Sequence, residues 1–418
     1  MIKDFARLKL ILFGIFTAEF PYSFLRNWKF GFFMWKKKIL ICFLVIALWI
    51  PIGEKAYAAI DISAESAILI EASTGQVIYE KNATKKRSPA SITKIMTLLL
   101  AFEQIKNGKI SLDDQVLVSN YAASMGGSQV FLAEGEIQNL ETMLKCIAVA
   151  SGNDASVAVA EHIAGSEEAF VDMMNLKAME LGMQDTHFED CCGLTESDNH
   201  YTTARDVAIM SRALTVGYPE VFQYTKIWME DIIHNTGRGS EIFTLSSTNK
   251  LLKQYQWATG LKTGSTRKAK YCLSATASKD GKDLIAVIMG ANQPKIRFSE
   301  AQSLLTYGFQ NCNLYIDENK EKLSPIVVKG GTKEEVLPVY EKEFRYLDTN
   351  GKKIDNVEKV LEIPKEIEAP IEKGEIAGYA VYLLEKTEIG RIPVLYDESV
   401  PKATFLDILK KTIAVLLF

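Results

Sequence analysis

Ser91 and Lys94 stand three residues apart in Arg87-Ser88-Pro89-Ala90-Ser91-Ile92-Thr93-Lys94-Ile95-Met96-Thr97-Leu98-Leu99-Leu100. On a helix this spacing puts a hydroxyl and an amine on one face, one turn apart. The run from Ile92 to Leu100 is too apolar for a surface helix, so the pair is expected to be buried. Burial disfavours an ammonium, and a buried lysine loses its proton easily. A neutral amine beside a hydroxyl can take its proton and leave a nucleophile. Ser88 is expected as the N-cap and Pro89 in the first turn. Ser91 would then lie near a helix N-terminus, where developing negative charge is stabilised. Taken alone, Ser-x-x-Lys is a frequent pattern, and an N-terminal serine with a snorkelling lysine is the commoner explanation of an isolated match.

Two further stretches carry chemistry. Ser151-Gly152-Asn153-Asp154 breaks two helical patterns, and Ser151 there could be only an N-cap. Gly260-Leu261-Lys262-Thr263-Gly264-Ser265-Thr266 precedes a hairpin. A lysine, a small hydroxyl and a glycine on a strand suit an open sheet edge, where a substrate backbone approaches and a cation meets a carboxylate.

The elements that must position these groups are legible. Ser66–Glu71 and Gln76–Glu80 read as strands around Ser73-Thr74-Gly75, a β-hairpin. The Ser91 helix should end near Asn107-Gly108. Apolar residues recur at three and four in Leu140–Ala150, Ala155–Ala164, Glu167–Leu181 and Thr203–Leu214, which are expected as helices. Ala269–Ser278 and Asp283–Gly290 read as strands joined by an Asp-Gly hairpin, and a helix follows over Arg297–Phe309. Beyond Cys312, short alternating segments with turns such as Thr349-Asn350-Gly351 point to a separate small β domain. Ala403–Phe418 is amphipathic. Thr404, Asp407, Lys410 and Lys411 face away from Phe405, Leu406, Ile408, Leu409, Ile413 and Leu416. Sixteen residues lie on a membrane more readily than they span one; the alternative is a helix packed on its own domain.

The N-terminus carries an address. Lys36-Lys37-Lys38, the apolar run Ile39–Ile50 and the small-x-small triplet Ala56-Tyr57-Ala58 have the order of a secretory signal peptide cleaved after Ala58. The apolar run falls short of the ~20 residues of a membrane span. A second apolar stretch, Leu8–Phe24, precedes it, and Met34 would begin a conventional leader.

The chain has 418 residues, with 48 Lys+Arg and 52 Asp+Glu. The leader removes more base than acid, and no run is basic enough for a nucleic-acid partner. Cys146, Cys191, Cys192, Cys272 and Cys312 follow the leader. An odd number, two of them adjacent, argues against a disulfide framework. No Cys/His spacing fits a metal site, and His162, His187, His200 and His234 read as structural. No metal or other cofactor is expected.

Ser91-x-x-Lys94, Ser151-x-Asn153 and Lys262-Thr263-Gly264, in this order in an exported chain, resemble the active-site signature of penicillin-binding proteins and serine β-lactamases. The flanking residues Ser88-Pro89-Ala90-Ser91-Ile92-Thr93-Lys94, Ser151-Gly152-Asn153-Asp154-Ala155 and Gly260-Leu261-Lys262-Thr263-Gly264 are similar to the low-molecular-weight D-alanyl-D-alanine carboxypeptidases, from about Asp61 to the C-terminus. The resemblance implies an α+β fold: a penicillin-binding/serine β-lactamase-like transpeptidase domain, with an antiparallel sheet flanked by helices and a helical subdomain, then a small all-β domain. The expected division is 1–58 for the extension and signal peptide, 59–312 for the catalytic domain, 313–401 for the β domain and 402–418 for a membrane-associating helix.

The implied chemistry is that of a serine DD-peptidase. Ser91 attacks the carbonyl between the terminal D-alanines of a peptidoglycan stem peptide, with Lys94 as base. Ser151 relays a proton to the leaving amine, and Asn153 binds the substrate amide. Lys262 and Thr263 bind the terminal carboxylate, assisted by Arg297. The backbone N–H groups of Ser91 and Ser265 form the oxyanion hole, and Gly264 belongs to the same strand motif. β-Lactam antibiotics are the implied covalent inhibitors, and the place is the outer face of the bacterial cytoplasmic membrane. The sequence departs from the family at Ser265, where a histidine or bulkier residue is frequent, and at Asp190-Cys191, where Asn-Pro is usual; the latter reads as a structural change in a loop. A class A β-lactamase would need a deacylating glutamate and has Ser-Asp-Asn where Gly152 stands here. A catalytically silent wall-binding scaffold would not need Ser91, Lys94 and Lys262, and a DD-endopeptidase would share them all.

Overall fold

The computed structural model describes residues 60–236 and 239–417. The expected signal peptide and the segment ahead of it lie outside the described residues. The centre of the fold is a five-stranded antiparallel sheet of order β2-β1-β9-β8-β7. Its strands are β1 (Ser66–Glu71), β2 (Val77–Lys81), β7 (Ala258–Thr266), β8 (Lys270–Lys279) and β9 (Lys282–Ala291). Side chains alternate across a strand. Ile68 and Ile70 of β1 and Ile285, Val287 and Met289 of β9 therefore enter one apolar cluster. Ala67, Leu69, Leu284, Ala286 and Ile288 enter another on the opposite face. Both faces of β1 and β9 are covered, which is why these strands are apolar at consecutive positions.

The first cluster is roofed by α1 (Lys94–Lys106), α2 (Leu140–Lys145), α3 (Asn153–Ala164), α4 (Glu167–Glu180) and α5 (Ala204–Gly217). The second is closed by α6 (Pro294–Asn311). Short strands β3 (Gln115–Leu117) and β4 (Ile137–Asn139) pair beside the helices. A long hairpin, β5 (Met229–Thr236) and β6 (Gly239–Ser246), returns the chain toward β7. Its polar, irregular sequence gave no strand signal.

The remaining chain is all β up to residue 401. Thr387–Tyr396 and Ile376–Leu384 form the centre of a four-stranded sheet with Pro338–Tyr340 and Glu358–Glu362. Two smaller sheets accompany it, and Phe344 stacks on Tyr382 at 3.8 Å in its core. The last element, α7 (Phe405–Leu417), leaves Phe405 78%, Leu406 64% and Ile408 53% exposed. Its apolar face is thus not packed on its own domain. Among the described residues no helix is long and apolar enough to cross a membrane.

Two local expectations are corrected. Ser88 does not cap the Ser91 helix. Pro89 itself occupies the cap position in helical conformation, and the buried Ser88 hydroxyl has no hydrogen-bond partner. Nor is Ser151 an N-cap, since Gly152 precedes α3.

Candidate active site

Ser91 lies in a 3-10 turn, Ala90–Thr93, that leads directly into α1. Ala90 has φ +48°, an uncommon conformation for a residue with a β-carbon. The turn is squeezed from two sides. A β-carbon at Gly264 of β7 would lie 2.9 Å from the Pro89 carbonyl oxygen and 3.0 Å from the Ile92 nitrogen. A β-carbon at Gly193 would lie 1.8 Å from the Ala90 carbonyl oxygen. Glycine at both positions lets strand and loop close on the nucleophile turn.

Lys94 opens α1 and is fully buried. Its Nζ stands 3.2 Å from Ser91 Oγ, 2.6 Å from Asn153 Oδ1 and 2.7 Å from the Cys192 carbonyl. Burial pulls this amine below its ordinary pKa, against the opposing pull of Cys192, Cys191, Asp190 and Asp154. A proton acceptor is thereby held beside a hydroxyl.

Ser151 terminates a π-turn, Cys146–Ala150, that continues α2. It takes a left-handed conformation, φ 64°, a strain of ~1–3 kcal/mol for a non-glycine residue. The break swings its hydroxyl to Lys262 Nζ at 2.8 Å. Asn153, at the start of α3, holds Lys94 with its oxygen and donates Nδ2 to the Gly126 carbonyl at 2.7 Å. Asp154 accepts the Val130 and Leu132 N–H groups and so ties down the loop that carries Gly126.

Strand β7 is the edge of the sheet, as the sequence suggested. Lys262 is buried, and besides Ser151 it reaches the Thr263 carbonyl at 2.9 Å. Burial, with Lys94 and Arg297 adding like charge, holds its pKa well below the ordinary lysine value. The Thr263 hydroxyl meets that of Thr248 at 2.6 Å. Ser265 is exposed at the strand's end.

Arg297 is 9% exposed and packs behind β7, donating to the carbonyls of Gly264 at 3.1 Å and Cys272 at 3.3 Å. The salt bridge to Glu300 that would make it merely structural does not form. Glu300 instead accepts the Ser63 and Ala64 N–H groups. No carboxylate stands in ion-pair range of Arg297 among the described residues, and its Nε is buried without a partner. The edge of β7 is therefore flanked by a buried amine, Lys262, and a buried guanidinium without a counter-ion among the described residues, Arg297, an arrangement that favours an arriving anion.

All nine sequence-derived residues thus gather around one turn and one strand edge. Sequence reasoning missed Thr248 and the carbonyls of Cys192 and Gly126. Any residue supplies a carbonyl, so no side-chain pattern could have pointed to them.

The model of the D-alanyl-D-alanine carboxypeptidase family matches residues 53–293. The chain belongs to the D-alanyl-D-alanine carboxypeptidase family. The C-terminal domain of penicillin-binding protein 5 matches residues 309–402. The D-alanyl-D-alanine carboxypeptidase DacF of Bacillus subtilis is 39% identical over 385 residues, which are 90% of this chain and 98% of that protein. DacA of Escherichia coli is 32% identical, covering 82% and 85%. Among solved structures, penicillin binding protein 5 of Haemophilus influenzae has TM-score 0.70 at 29% identity, covering 83% of this chain and 100% of that one.

Asp190 organises the loop beside the nucleophile turn. The Asp190 carboxylate accepts the N–H groups of Cys192 and Gly193, and that of Thr195 at 2.7 Å. It thereby shapes the loop whose Cys192 carbonyl holds Lys94 and whose Cys191 carbonyl takes the Thr97 hydroxyl at 2.5 Å. Asp190, Glu167 and Cys192 bring ligand-type atoms within 4.8 Å of one another. The two carboxylates are engaged by the loop's N–H groups and the Tyr121 hydroxyl. The five cysteines among the described residues are buried, and none forms a disulfide.

Proposed function

We propose that this protein is a serine-type D-alanyl-D-alanine carboxypeptidase that removes the terminal D-alanine of peptidoglycan stem peptides through an acyl-enzyme on Ser91. The observation that carries the reading is a fully buried Lys94 amine 3.2 Å from Ser91 Oγ, with a second buried lysine, Lys262, 2.8 Å from Ser151 Oγ. Ser91 Oγ bonds to the carbonyl carbon while its proton passes to Lys94 Nζ. The oxyanion is held by the backbone N–H groups of Ser91 and Ser265, worth ~2.7–4 kcal/mol per donor. Ser151, hydrogen-bonded to Lys262, delivers a proton to the departing D-alanine nitrogen. Water then hydrolyses the ester. Asn153 Nδ2 has two hydrogens; one serves Gly126, and the other is available to the substrate amide. Lys262, Thr263 and Arg297 attract the terminal carboxylate to the strand edge at Gly264. Penicillins acylate the same hydroxyl.

We read residues 59–312 as the catalytic domain, 313–401 as an appended β domain, and 402–418 as a helix that rests on the outer face of the cytoplasmic membrane after export. The direct test is incubation with a pentapeptide stem. Release of D-alanine by the wild type and none by folded Ser91→Ala is expected. Release by Ser91→Ala would remove the assignment, and rapid nitrocefin turnover would favour a β-lactamase.

A further inference from the structure

The nucleophile turn is buttressed by a side chain that plays no part in the chemistry above. His200 lies just ahead of α5 and is 1% exposed. Its Nδ1 faces the Glu189 N–H at 3.0 Å. A backbone N–H can only donate, so Nδ1 is the acceptor and the proton sits on Nε2. Nε2 stands 2.9 Å from the Thr93 hydroxyl, which in turn donates to the Ala90 carbonyl at 2.9 Å. One N–H thus sets the direction of the whole chain of hydrogen bonds, and it ends on the left-handed residue immediately before Ser91.

We propose that His200 is a positioning residue, which in its neutral, Nε2-protonated form holds the Thr93 hydroxyl on the Ala90 carbonyl and so fixes the turn that aims Ser91. The inference rests on Ser91 being the nucleophile. An imidazolium would break the chain, because Nδ1–H would confront the Glu189 N–H. Burial disfavours that cation and lowers the His200 pKa. Asp190 and Glu189 oppose the shift, while His187 and Lys268 add to it. Phe188 closes the ring's remaining side edge-on, at 5.9 Å.

The experiment measures the rate of covalent labelling by a fluorescent penicillin, per folded molecule. Thr93→Val and His200→Phe are each expected to slow acylation ~10-fold or more, since small misplacements of a reacting group are costly. Thr93→Ser keeps the hydroxyl and should stay near the wild-type rate. The double variant should be no slower than the worse single one, because both remove the same chain. Wild-type labelling rates in both single variants, or effects that multiply in the double, would overturn the proposal. Should those variants not fold, the nitrogen NMR shifts of His200 in the wild type decide it. The neutral Nε2–H form at pH 7 supports the proposal, and the Nδ1–H form or a charged ring overturns it. A wild type that takes no label at all removes the Ser91 reading instead.

Discussion

In the proposed reaction Lys94 works through its charge state. Its pKa is lowered chiefly by burial, and only the neutral amine can accept the Ser91 proton. Acylation should therefore rise with pH as Lys94 deprotonates and level off above its depressed pKa, and it should fall as pH drops below it. Lys94→Arg places a permanent cation at the same site. Loss of at least ~100-fold in acylation rate is expected, the scale of a general base, with no recovery at high pH. A stopped-flow pH profile of penicillin labelling checks both points. Substantial acylation by the arginine variant would move the base elsewhere, Ser151 being the first candidate.

At the scale of elements, the edge strand and the helix behind it make one device. β7 offers a free edge while α6 brings Arg297 beneath it with no counter-ion among the described residues. In the proposed function a substrate that ends in a carboxylate supplies that charge. Arg297→Ala should lower kcat/KM for a stem peptide with a free C-terminus by ~10-fold or more, as a charge-assisted hydrogen bond of ~1.5–3 kcal/mol is removed. The same change should hardly affect a C-terminally amidated peptide, and equal losses on both would mean that Arg297 does not read the carboxylate. Half of this device is written in the sequence: Lys262-Thr263-Gly264 on a strand is a side-chain pattern, whereas Arg297 was expected only from the resemblance to the family. The π-turn that aims Ser151 is not legible. Cys146–Ala150 has an ordinary helical composition, and one extra residue in the turn leaves no compositional trace. The Ser88 cap failed for a related reason. Burial of the turn under Gly193 and Gly264 decided the backbone there, and local propensity yielded to it.

At the scale of the whole molecule, the chain ends in a helix whose apolar face is open to solvent. Removal of residues 403–418 should release the signal-processed protein from membranes and leave its activity on a soluble peptide unchanged. Fractionation of membranes with activity assays on both fractions checks this, and membrane retention of the truncated form would contradict it. Across the molecule, the site is laced together by main-chain oxygens: Gly126 and Cys192 hold Asn153 and Lys94, and Gly264 and Cys272 hold Arg297. An oxygen of this kind is supplied whatever side chain follows it. Side chains at several positions nearest Lys94 can therefore change, within the volume each site allows, while the geometry persists. Distance from the nucleophile is then a poor guide to how much a side chain matters, since several positions beside Lys94 and Arg297 contribute only their main chain.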